Sequence, residues 1–236
     1  MGERFVMYRL KKKPAINEEE LAGRALDHQG SESDMRKDLT CAVSRLFAGL
    51  AIPRERAVDG DEKRRLIALA TLAVRCRSAV ERDSHSREVE LIPESEAPGR
   101  LALALARLLA GVTLIGAARP EAWRVVGKAA LDCVPALRLR VIRVLSGASV
   151  AVDTTTVATA VRYPTQTTRR ALEDLTAHGV VKRQSRGSGK ADEWQLSNWT
   201  IKKCADACIA FPKMSEDDYV DQPSGAVTFP GKSEGR

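Results

Sequence analysis

The sequence predicts a mainly α protein: a helical N-terminal part, then two short helices joined by a tight turn, then a small β-hairpin. Three observations predict it. Aromatic residues make up only 4% of the chain and alanine and leucine dominate its middle, so the core is expected to be aliphatic and helical. Helical segments follow one another from residue 17 to 146, broken by polar or Pro/Gly stretches. From Asp153 to Ser197 come two short helical patterns, a glycine, and two strand-like runs around a cationic, glycine-rich tip.

In chain order, Arg4–Leu10, "RFVMYRL", reads as a short β-like strand. Helices are expected over Asn17–His28, Ser33–Leu50, Asp61–Arg82, Pro98–Gly116 and Pro120–Leu131. In the first, "NEEELAGRA" is an acidic opening turn facing the positive end of the helix dipole. Before the fourth, "HSREVELIPESEAPG" is a polar connection in which "REVELI" has the makings of a brief strand. Leu101–Ala118 is nearly continuously apolar and just long enough for a membrane span. Arg107 lies inside it, at a cost of about 2.5–3.5 kcal/mol near a span centre, so a buried helix and no membrane are expected. Pro135 opens Ala136–Ser146, whose Leu137, Val141, Val144 and Leu145 are expected to pack beneath the two short helices.

Asp153 is an N-cap for a helix through Thr156, Val157, Ala160 and Val161. Tyr163-Pro164 stops it, because proline disfavours helical dihedrals in the preceding residue. Thr165 caps the next helix, from Gln166 to about His178. There Thr168, Ala171, Leu172 and Leu175 share one face, and Gln166, Thr167, Arg169, Arg170 and Glu173 point away from it. Gly179 stands where a helix favours a C′ glycine. Val180-Val181 begins a strand, Glu193–Leu196 alternates as a returning strand does, and "KRQSRGSGK" lies between.

This is the order of parts in a winged helix-turn-helix. The phrase "TTRRALEDLTAHGVVKR" resembles the recognition helix, glycine and wing strand of MarR-type and ArsR-type bacterial regulators, over roughly residues 135–199. The resemblance implies double-stranded DNA as partner. Gln166, Thr167, Arg169 and Arg170 are then the base-reading set, since Gln suits adenine and Arg suits guanine. Arg162, Lys182, Arg183, Arg186, Ser188 and Lys190 are the backbone and wing set, holding register without reading sequence. Residues 135–203 hold twelve Lys and Arg against five Asp and Glu, an excess equal to the +7 formal charge of the whole chain. Such a cluster is an electrostatic footprint of nucleic-acid binding. A regulator of this kind is usually a symmetric dimer on a palindromic site, but no long heptad pattern marks where a homodimer would form. Winged helices also serve as protein-docking modules, and that reading stays open.

The segment 1–134 loosely resembles the end of a P-loop ATPase of the AAA+ kind, with "GERFVMYRL" as a last core strand and the helices as a lid. That resemblance rests on the order of elements. It implies that the chain is either the lid and DNA-binding end of a longer ancestral ATPase or a separate partner of a P-loop ATPase in plasmid or phage replication, with Arg100 the lid arginine to watch. There is no G-x-x-x-x-G-K-[ST]; "GSGKA" at 187–191 has Ala191 where Ser or Thr is needed and reads as a wing tip. His28, His85 and His178 are far apart, and no nucleophile motif is present, so no enzymatic activity and no cofactor are expected. The five cysteines (41, 76, 133, 204, 208) lack zinc spacing, and no metal site is expected. Cys204 and Cys208 are four apart on a possible helix. With no apolar leader in "MGERFVMYRLKKKP", a cytoplasmic protein with reduced thiols is expected. "KKK" at 11–13 reads as a solvated loop. The expected organisation is a helical domain over 1–134, a winged helix-turn-helix over 135–203, and an acidic, partly disordered tail over 204–236. The leading expectation is a transcriptional regulator or DNA-maintenance factor of a bacterial mobile element.

Overall fold

The computed structural model describes residues 6–10, 17–51, 58–187 and 191–211. Helix starts are set by capping side chains. Asn17 accepts the Glu19 N–H and opens α1, Glu18–Asp27. α2, Glu32–Ala48, follows with no buried residue, leaving Leu39, Leu46 and Phe47 exposed. Asp59 accepts the Glu62 N–H and opens α3, Gly60–Arg77. Then come α4, Gly99–Leu114, and α5, Arg119–Asp132, with a proline in its first turn.

α3 is the axis of the molecule. Its Leu66, Leu69, Leu72 and Cys76 are buried, and it packs against α4, α5, α6 (Ala136–Ser146) and α9 (Asn198–Asp206). Burial pushes the Cys76 thiol up strongly and that of Cys204 to about 11. One apolar core runs from Leu66 through Leu105, Val126, Val141 and Leu172 to Trp194 and Ala207. It crosses residue 134 without a break. In α6, Val141 and Leu145 are buried and Leu137 and Val144 are half-buried against the same core.

Asp153 caps α7, Thr154–Val161: one carboxylate oxygen accepts the Thr155 and Thr156 N–H groups and the other accepts the Thr156 hydroxyl at 2.6 Å. Those donors, the hydroxyl foremost, hold its carboxyl below the usual carboxylate range. α8, Thr165–Ala177, starts one residue earlier than the sequence suggests, with Pro164 and not Thr165 at the cap position. Between α7 and α8 the chain turns through Arg162, which has a left-handed backbone (φ 57°). Gly179 has φ +70° after α8, a conformation that glycine takes without steric cost.

Two small antiparallel sheets complete the described residues. β1 (Glu81–Arg82) pairs with β2 (Val89–Leu91). β3 (Val152–Asp153), β4 (Val181–Gln184) and β5 (Glu193–Leu196) lie in the order β3-β5-β4. Trp194, on the central strand, faces Val152 on one side and Arg183 on the other, and is fully buried.

The structure corrects three further sequence expectations. Residues 6–10 of "RFVMYRL" form no strand; Arg4 and Phe5 lie outside the described residues. The segment is a strap: the Arg9 N–H donates to the Asp132 carboxylate at 2.7 Å, its guanidinium donates to the Val134 carbonyl, and Val6 packs on the core. A side-chain acceptor takes the N–H that a sheet would have used. The helix expected over Asp61–Arg82 ends at Arg77. Ser78 turns the chain into an extended conformation (ψ 138°), and the next residues are claimed by side chains distant in sequence. Cys208, expected on one helix with Cys204, lies past the end of α9 with φ 50°. None of the described helices is long and apolar enough to cross a membrane.

Candidate nucleic-acid interface

α8 is built with two unlike faces. Thr168, Ala171, Leu172 and Leu175 are buried, which follows from their shared position on the helix. Gln166, Thr167, Arg169 and Arg170 are exposed. Trp194 supports the sheet behind: its ring N–H donates to the Thr154 hydroxyl at 2.9 Å, and the Arg183 guanidinium lies 5.6 Å from its centroid.

The cations of this face are partly neutralised from within. Arg169 donates to Glu173 at 3.0 Å and lies 3.5 Å from Asp192. Arg183 pairs with the same Asp192 oxygen at 2.6 Å, and Arg186 pairs with Glu193 at 2.8 Å. Asp192 therefore ties α8 to the β4–β5 hairpin. Gln166, Thr167, Arg170 and Lys182 make no side-chain hydrogen bond or ion pair among the described residues. Arg162 is exposed in the α7–α8 turn. Ser188 and Lys190 lie outside the described residues, as do "KKK" at 11–13 and the tail from residue 212. Arg100 is exposed in the first turn of α4.

A clasp that sequence reasoning missed fixes the back of α8. Arg138 on α6 donates to the Cys76 and Ser78 carbonyls and to Asp174 at 2.8 Å. Arg82 on β1 donates to Asp174 at 2.5 Å, to Glu173 at 3.0 Å and to the Arg170 carbonyl at 3.1 Å. Burial works against the charge of Arg82, but Asp174 and Glu173 outweigh it and raise its pKa. His178, at the end of α8, is buried, with its ring Nε2 2.9 Å from the Ala79 carbonyl. The one signal in the sequence was the turn-like "RDSHSRE" between "AVE" and "VELI".

The β1–β2 hairpin, α8 and the β4–β5 hairpin enclose an open cleft of about 780 Å³, with Gln166, Arg169 and Arg170 among its lining. A second cleft of about 650 Å³ lies between the start of α8 and the β4–β5 hairpin. Among the described residues no cluster of His, Cys, Asp or Glu could hold a metal ion. No protein-family model matches the chain, and no match was found among curated proteins or solved structures.

Proposed function

We propose that the chain is a sequence-reading DNA-binding protein in which residues 135–203 act as a winged helix-turn-helix. In this reading α8 enters the major groove and β4–β5 is the wing; the chain serves as a transcriptional regulator or DNA-maintenance factor. One observation carries the reading: the two-faced α8, whose outer side presents Gln166, Thr167 and Arg170 with hydrogen-bonding capacity unspent. A helix about 10–12 Å across fits a major groove about 12 Å wide.

The reading is tested by selecting duplexes from a random pool with the full chain, then measuring affinity by anisotropy at several salt concentrations. A defined motif is expected, with a log–log salt slope of about −0.9 per phosphate contact. Gln166→Ala and Arg170→Ala should each cost about 1–3 kcal/mol on the preferred site and relax its sequence preference. Lys182→Ala and Arg186→Ala should weaken all duplexes alike and lower the slope by about one. No binding at low salt removes the reading.

Arg169, placed among the readers by sequence, must leave Glu173 and Asp192 to reach a base. Asp192→Asn should therefore strengthen binding to duplexes of any sequence and steepen the salt slope, because Arg169 and Arg183 lose a competing carboxylate. Weaker binding by a variant with an unchanged melting temperature would show that Asp192 orients these arginines productively instead.

A further inference from the structure

We propose that the β1–β2 hairpin is a second arm of the nucleic-acid interface, and that Arg87 at its tip holds a phosphate of the duplex. The inference rests on the reading of α8 as a DNA-binding helix and extends it to a segment outside residues 135–203.

The charge of the cleft points there. Five arginines and two glutamates line it. Three of the arginines are engaged: Arg82 by Glu173 and Asp174, Arg169 by Glu173 and Asp192, Arg183 by Asp192. Arg87 and Arg170 make no ion pair among the described residues. Arg87 and Arg170, brought from separate elements to one cleft, outnumber by one the unpaired Glu88 of the same lining, an excess that favours an incoming anion.

The backbone gives a second reason. Arg87 has φ 61°, a left-handed conformation that costs a residue with a side chain about 1–2 kcal/mol. Its N–H donates to the Asp83 carbonyl and its own carbonyl accepts from Arg82. Asp83 spends one carboxylate oxygen on the Ser86 and His85 N–H groups, which lowers its pKa. Glycine would occupy the Arg87 position without strain, whereas the arginine places a long cation at the tip. Arg82 and Val89 are cross-strand partners and both line the cleft, with Glu88 beside Arg87 in the same lining; the register shifts between Glu81, which pairs with Leu91, and Arg82.

The placement suits a duplex. The β4–β5 hairpin reaches α8 through Arg169, and the β1–β2 hairpin reaches it through Asp174. Around a helix of 3.6 residues per turn Asp174 is about 140° from Arg169, and Glu173, which Arg82 and Arg169 share, about 40°. A helix seated in a groove has a phosphate strand on each flank, and each hairpin is placed to meet one of them.

The test compares the full chain with Arg87→Ala, Arg87→Lys and Arg87→Gly on a labelled duplex across salt concentrations. Alanine and glycine should each lower the salt slope by about 0.9 and weaken all sequences alike, while lysine keeps the slope. Glycine should also leave the melting temperature equal or higher, which separates lost contact from lost fold. If the parent binds and Arg87→Ala has its slope, the hairpin contact is overturned while the α8 reading stands. An unchanged duplex slope with loss of pyrophosphate binding makes the cleft a small-anion site and overturns it equally. A parent that binds no duplex at low salt overturns both.

Discussion

Replacing Asp174 by alanine should destabilise the protein by about 3–5 kcal/mol, the cost of removing one partner from a buried ion pair. Two guanidiniums converge on this carboxylate, Arg82 on one oxygen and Arg138 on the other. The Asp174, Arg82 and Arg138 side chains are only 13–17% exposed, so water cannot readily replace the lost partner. Without Asp174 the arginines are left beside each other with Glu173 alone on the Arg82 side. For a chain of this size the melting temperature should fall by about 2–4 °C per kcal/mol. Asp174→Asn keeps the shape but turns an amide toward one of the cations, so it should also destabilise. Urea unfolding of both variants tests this, with hydrogen exchange on residues 76–82, where Arg138 holds the Cys76 and Ser78 carbonyls. A melt unchanged in both variants would mean that the clasp contributes nothing to stability.

Trp194→Ala should cost about 3–5 kcal/mol, as large-to-small changes of buried aromatics do. The side chain is fully buried on the central strand of the three-stranded sheet, and its loss opens space next to the packing of α6 on β5. Trp194→Phe separates two contributions. It keeps most of the apolar area but leaves the Thr154 hydroxyl without the indole donor, and should cost about 1–3 kcal/mol. Equal effects of the two variants would mean that the hydrogen bond, and not the packing, dominates. Both are read from urea melts followed by circular dichroism, because Trp123 and Trp199 also fluoresce.

Local signals carried the elements they govern. Ala136–Ser146 and Glu193–Leu196 have the same bounds in sequence and structure, and Asp153 and Gly179 act at the ends where their chemistry put them. Each depends on residues within a turn or two. What was illegible depends on distant partners. "RFVMYRL" has the composition of a strand, but its Arg9 N–H finds a carboxylate on α5. The segment after Arg77 keeps helical composition, yet Arg138 and His178 draw its carbonyls out of a helix. For the candidate site, the outward set on α8 was readable from helical period alone. The pairing of Arg169 and Arg183 with Asp192 was not, since three elements must meet to create it.

Asp192 has a consequence for selectivity. A carboxylate already seated on two arginines is a tethered counterion, present at a high effective concentration that dilution cannot lower. Any polyanion approaching this face must displace it before gaining those two cations. That exchange lowers the yield from charge alone and leaves it unchanged for groups, such as Gln166, that bind without displacing anything. If α8 reads DNA as proposed, tightness toward indiscriminate polyanions is thereby reduced more than tightness toward a ligand matched in shape, and the acid inside the basic surface is a threshold against the wrong partner.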